Sequence, residues 1–217
     1  MMGGSPERGL WIPDPAQRND LAVFADRARL LDESAVVRLR VRTDGLLGAW
    51  VVTGFDVLAA RVVAGTLRPP DLTCAADALV GALREADADG RIDAGYPMDS
   101  AWRGALPAET GFVHLDDVPA TALDDLARQA AELSREHGAP GPPASLLDQE
   151  VLQVSADAGS VAVPMRCVLA LAAMRFMPEK PDPAEVVRVR AAPAWLRLDA
   201  RYGSVFRRRG AAALLIG

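Results

Sequence analysis

Arg38, Arg40 and Arg42 alternate with Val37, Leu39 and Val41 in the run AVVRLRVR (35–42). On a β-strand, residues two apart share a face at about 6.6 Å spacing, so this run predicts one greasy face and one row of guanidinium groups. Guanidinium binds carboxylate or phosphate in a planar, two-pronged geometry. Arg188 and Arg190 repeat the pattern in VVRVR, and Arg201, Arg207, Arg208 and Arg209 crowd the C-terminal end. The chemistry these nine residues offer is anion recognition, and they are the candidate binding residues. The bland alternative is a solvated sheet face whose charges pair with carboxylates of the acidic stretch 116–150.

Other constellations offer less. Glu85-Ala86-Asp87-Ala88-Asp89-Gly90-Arg91-Ile92-Asp93 places oxygen ligands at alternate positions with Gly sixth, like the front of an EF-hand calcium loop. The back fails: position twelve is Tyr96 instead of the bidentate Glu, and Pro97 follows where a helix should leave. The chain has two histidines, His114 and His137. His137 falls in the last turn of a predicted helix, where an imidazolium suits the helix dipole. His114 stands near Asp116 and Asp117, an acid–base arrangement that would serve a hydrolase-like site. No Gly-x-Ser-x-Gly elbow, His-Glu-x-x-His pair or phosphate-binding glycine loop is present. No catalytic residue, metal ligand or cofactor is therefore assigned. Cys74 and Cys167 follow no metal or redox spacing and read as buried thiols of a reducing compartment.

Composition bounds these readings. A chain of 217 residues suits one large domain or two small ones. Of 24 Lys plus Arg only Lys180 is lysine, and Asn19 is the only asparagine. GC-rich codons give this bias, so arginine abundance alone says little about phosphate binding. The net charge of −5 gives no general attraction to nucleic acid or anionic membrane. Residues 181–217 hold seven Arg against Asp182, Glu185 and Asp199, a surplus of +4 that leaves −9 for the rest. Met1 to Pro15 shows no apolar leader segment. The longest apolar run, Cys167 to Met174, is too short to span a bilayer. A cytoplasmic protein is expected.

These residues need elements to position them. Asp14-Pro15 opens a first helix, with Leu21, Phe24, Ala28 and Leu31 on one face. Strands follow at 36–42, 48–53 and 57–64, then a helix over 73–85 and a short helix near Ser100–Gly104. Pro119 to His137 is a helix closed by Gly138, and 139–143 is a rigid Pro-Gly connector. Two short strands, 151–155 and 161–163, precede an apolar helix over 165–176. Strands near 186–191, 194–199 and 204–208 complete the chain.

Helix followed by a three-strand meander thus occurs twice. Val36-Val37-Arg38-Leu39-Arg40 corresponds to Val186-Val187-Arg188-Val189-Arg190, and Ala49-Trp50 to Ala194-Trp195. The expected fold is α+β: an N-terminal half, 1–107, and a C-terminal half, 108–217, whose matching order of elements points to an internal duplication about a pseudo-twofold axis. Trp50 and Trp195 would be equivalent core anchors, and 108–163 a bridging insert.

Met98–Pro107 (MDSAWRGALP), Pro142–Gln149 (PPASLLDQ) and Trp195–Arg209 (WLRLDARYGSVFRRR) resemble segments of uncharacterised actinobacterial proteins of similar length. The resemblance implies a source and no activity. The functional expectation is a non-catalytic binding or regulatory protein that meets a protein partner through an arginine-rich sheet surface. Nucleic acid is the less favoured partner for that surface, and a hydrolase-like enzyme around His114, Asp116 and Asp117 is the alternative.

Calcium should not bind the 85–96 loop usefully, because the missing twelfth-position Glu removes two of about seven oxygens. Calorimetry is expected to show no dissociation constant tighter than about 10⁻⁴ M, the range of weak EF-hand modules.

Overall fold

Alternating apolar residues and helix-phased leucines resolve into thirteen strands and five α-helices in a computed structural model that describes residues 8–136, 142–156 and 159–209. Two compact units result: Met1–Gly54 with Ala60–Glu109, and Phe55–Ala59 with Thr110–Gly217. His137, Gly138, the start of the 139–143 connector and the turn at 157–158 lie outside the described residues.

The first unit runs β1 (Gly9–Trp11), α1 (Pro15–Leu31), β2 (Val36–Val41), β3 (Leu47–Thr53), β4 (Val57–Val63, whose first three residues fall in the second unit), β5 (Thr66–Arg68), β6 (Asp71–Ala75), α2 (Ala76–Arg84) and β7 (Arg91–Ile92). Asp14 caps α1, accepting from the Ala16 amide at 2.9 Å, with Pro15 at the first helical position. The strands order as β6-β2-β3-β4, with a small β5-β1-β7 sheet beside them. Val37 and Leu39 point inward and are fully buried with Leu21, Ala25, Leu79 and Leu83, so α1 and α2 cover one face of the sheet. Gly90 sits at φ +74°, and a Cβ there would come 2.5 Å from the Ile12 carbonyl, so the turn before β7 takes glycine.

The second unit runs β8 (Val113–Pro119), α3 (Ala120–Glu136), α4 (Ala144–Leu147), β9 (Glu150–Ala156), β10 (Gly159–Pro164), α5 (Met165–Ala173), β11 (Val186–Ala192), β12 (Trp195–Ala200) and β13 (Gly203–Arg208). Its strands order as β8-β11-β12-β13, with β9 and β10 forming a separate pair. Val187, Val189, Leu198 and Val205 are buried with Leu123, Cys167, Val168 and Leu171. Gly203 packs flat on Phe176, whose ring would lie 2.5 Å from any Cβ.

The two units match in register. Val37 pairs with Cys74 and Arg38 with Thr73; Val187 pairs with Val118 and Arg188 with Asp117. In each unit the strand beside the Val/Arg strand runs directly into a helix. The first amide of that helix bonds the carbonyl just before the Val/Arg strand: Ala76 N to Ala35 O and Ala120 N to Glu185 O, both 2.9 Å. This is an α+β chain of two helix-plus-meander units, consistent with an internal duplication.

Three expectations change. Residues 108–163 are no insert: β8 and α3 do in the second unit what β6 and α2 do in the first, but precede the meander instead of following it. Trp50 and Trp195 are not equivalent, since Trp50 faces Arg38 across the ladder while the residue facing Arg188 is Asp199. The helix predicted over 73–85 begins at Ala76, and its first three residues belong to β6. Helical spacing at Ala75, Leu79 and Leu83 overlaps a strand alternation at Leu72 and Cys74, and the strand ladder wins.

Leu39 and Leu198 are nearly inaccessible, at 0% and 1%. Leu39→Ala and Leu198→Ala should each cost about 2–5 kcal/mol in urea unfolding, whereas Val52→Ala, at a 48% exposed position, should change stability by under about 0.5 kcal/mol.

Candidate functional site

Strand β2 presents its arginines outward, and Asp71 on neighbouring β6 answers them. Arg38 donates from Nε and Nη2 to both Asp71 oxygens, at 2.9 and 2.7 Å. Arg40, directly opposite Asp71 in the ladder, is half exposed with Nε 4.0 Å from the same carboxylate. The aspartate thus serves the diagonal arginine better than the facing one, within the reach of a long side chain. Its hydrogen bond raises the Arg38 pKa further. Arg42 turns to Asp44, whose pKa that bond lowers. Chain from 95–109 overlies this edge. Met98 N bonds Thr73 O at 2.9 Å, Asp99 accepts from Thr73 N at 2.7 Å, and the Arg38 guanidinium lies 5.8 Å from the Trp102 ring centre. Glu109 accepts from both Thr43 N and Oγ1, which hold its pKa below the usual range.

The second unit repeats the device. Asp199 on β12, 15% exposed at its side chain, accepts from Arg197 Nε at 2.6 Å and from Ser204, and its other oxygen lies 3.4 Å from Arg190 Nε. That Nε is buried without a hydrogen bond, so the contact is charge proximity alone. Arg197 sits between the Phe112 and Phe206 rings, 5.6 and 5.3 Å from their centres. Arg188 is exposed, 3.9 Å from Asp117. Arg201 reaches Glu185 at 3.0 Å. The carboxylates that answer the β2 row therefore come from β6 and the β2–β3 turn, not from 116–150.

Arg207, Arg208 and Arg209 gather on one cavity of about 320 Å³ in the second unit, with Asp148, Glu150, Ser160, Val161, Ala162 and Arg166 among its walls. Arg207 donates to Asp56, at 3.1 Å to its carbonyl and also to its carboxylate. Arg208 lies 5.8 Å from the Trp195 ring centre, and Arg209 donates to the Ala192 carbonyl at 3.1 Å. Neither has a carboxylate partner among the described residues. Arg166, missed by the sequence reading, is 8% exposed and donates to Asp148 and, at 2.8 Å, to the Phe55 carbonyl. A signal for it existed: it is the one charge in the apolar helix α5, and a buried charge must be paired.

His114 and Asp117 meet at 2.9 Å on edge strand β8, both nearly half exposed, and line none of the cavities described here. Asp87 of the acidic loop is engaged locally, accepting from the Arg91 amide at 2.8 Å, and the loop lines a second cavity of about 730 Å³ with Arg8 and Arg91. Among the described residues no group of three or more His, Cys, Asp or Glu is placed to hold a metal. Burial pushes both cysteine thiols up to about 12, so neither is a nucleophile at neutral pH. No helix of the described residues is long and apolar enough to cross a membrane.

Residues 5–104 match a family described as domain of unknown function (DUF8010), and residues 107–212 a second, domain of unknown function (DUF8185). No curated protein matches. Solved structures do. They include the beta subunit of DNA polymerase from Streptococcus pyogenes (9% identity, TM-score 0.56, 94% of this chain and 65% of that one). The DNA polymerase III subunit beta of Pseudomonas aeruginosa follows (13%, 0.55, 93% and 64%), as does the DNA polymerase sliding clamp of Bacillus subtilis (11%, 0.54, 93% and 64%). This chain spans about 65% of the length of such proteins. At these identities the likeness is one of fold: the chain is similar to sliding clamps in architecture.

Proposed function

We propose that this protein is a non-catalytic, cytoplasmic binding protein that holds a protein partner on arginines presented by strands of its two units, in keeping with its sliding-clamp-like fold. The observation that carries this reading is the uneven neutralisation of the nine arginines. Arg38, Arg42, Arg190, Arg201 and Arg207 are answered closely by the chain's own carboxylates, while Arg40, Arg188, Arg208 and Arg209 are left with distant partners or none among the described residues. Exposed arginines with spare donors are what an acidic protein surface seeks. The buried, unpaired thiols support a reducing compartment. The scarcity of lysine supports an actinobacterial source.

Nucleic acid is the second reading, favoured by the neighbours' description as DNA polymerase clamps. Charge opposes it. The chain's net charge is −5, and DNA interfaces are strongly positive. The hydrolase alternative rests on His114 and Asp117, which are both nearly half exposed and line none of the cavities described above.

Arg40→Glu with Arg188→Glu tests the proposal. Their side chains are 52% and 57% exposed, so folding should survive with a loss of about 0–1 kcal/mol per site. In a pull-down with the folded protein as bait, the double variant is expected to lose the captured partner. Equal capture by wild type and folded variant would refute the role of this surface, and a large fall in melting temperature would show both arginines to be structural. A gel shift with duplex DNA is expected to show no retarded band.

A further inference from the structure

The cavity of the second unit has a wall that the arginines alone do not explain. Strand β10 pairs with β9 in a two-stranded sheet, so its other edge has no strand partner among the described residues. Ser160, Val161 and Ala162 of β10 line the cavity opposite the end of β13. A strand edge offers a row of backbone donors and acceptors to an incoming extended chain. The side chains set the charge of that chain. Arg166 is committed to Asp148, and Arg207 to Asp56. That leaves Arg208 and Arg209 against Glu150, the one carboxylate on the walls without an arginine partner. Two cations with no carboxylate partner among the described residues, together with one carboxylate, select a ligand with isolated negative charges. A continuous phosphate backbone would bring a charge against Glu150, whereas an extended peptide keeps its acidic side chains about 6.6 Å apart on one side.

We propose that this cavity binds an extended acidic peptide, which adds to the free edge of β10 and places its carboxylates on Arg208 and Arg209. The proposal rests on the protein-binding function argued above and names the kind of partner segment. Its volume of about 320 Å³ accommodates part of such a segment, at the small end of ligand-binding clefts. Arg166 contributes rigidity: with its guanidinium fixed to Asp148 and the Phe55 carbonyl, it holds the floor while the two rim arginines close on the ligand.

Fluorescence anisotropy with a labelled peptide of alternating Glu and Val tests this, with a Lys/Val peptide and a labelled oligo-dT strand as comparisons. The wild-type chain is expected to bind the Glu/Val peptide best, and hydrogen exchange at the 160–162 amides should slow on binding. Arg208→Glu with Arg209→Glu should weaken that peptide by about tenfold or more and improve the Lys/Val peptide. Circular dichroism checks the fold, and Arg208→Gln with Arg209→Gln gives the same loss without charge reversal should the first variant misfold. Undiminished Glu/Val binding by either folded variant overturns the proposal. Oligo-dT binding as tight as the peptide's, and lost in the same variants, overturns it in favour of phosphate. Failure of the wild type to bind any of the three probes overturns this site alone, because partner capture through Arg40 and Arg188 is read separately.

Discussion

Arginines set every second residue along a strand repel one another unless a carboxylate stands among them, and each unit meets that constraint with one aspartate on an adjacent strand. Asp71 on β6 takes the Arg38 fork, and Asp199 on β12, which faces Arg188, takes Arg197 and lies 3.4 Å from the diagonal Arg190. In both, the closer cross-strand partner is the diagonal arginine, so the facing residue, Arg40 or Arg188, is left to solvent. Partial neutralisation of this kind costs little stability, since exposed pairs are worth about 0–1 kcal/mol. It leaves a surface that is folded and still short of negative charge.

The duplicated plan makes that device recur. A Val/Arg strand, a partner strand running straight into a helix and a shared backbone bond at the helix start appear in both units. Because the partner strand and helix follow the meander once and precede it once, the likeness lies in the ladder and not in the order of the chain. The same plan diverges where the sheet's outer face is covered: Trp102 stacks on Arg38 in one unit, while Phe112 and Phe206 enclose Arg197 in the other.

Arg166 shows how a buried charge shapes a site. Burying a cation is expensive unless its donors are used, and here a carboxylate and a backbone carbonyl take two of them. The residue is held still, and its own charge is largely spent. In the peptide site proposed above, recognition falls to the exposed Arg208 and Arg209, whose donors are cheap to keep because water solvates them until a ligand arrives.

The sequence by itself determined the secondary elements with strong periodicity: the Asp14-Pro15 helix start, the Val/Arg strands and the three-strand meanders, all driven by local spacing and capping. It also grouped Arg207 to Arg209, and the structure sets all three on one cavity. It did not disclose β8, because a bulge opposite the Val189–Arg190 step leaves the buried residues Leu115 and Val118 three apart, a helical interval in a strand. Nor did it show which carboxylate answers which arginine. Asp71 is 33 residues from Arg38, and Asp56 is 151 from Arg207. Pairing at such separations is set by strand order, a property of the folded ladder that no local pattern encodes. The cavity exists for the same reason, since its walls come from α5, β10 and β13, and only their packing brings Arg166 to Arg208 and Arg209.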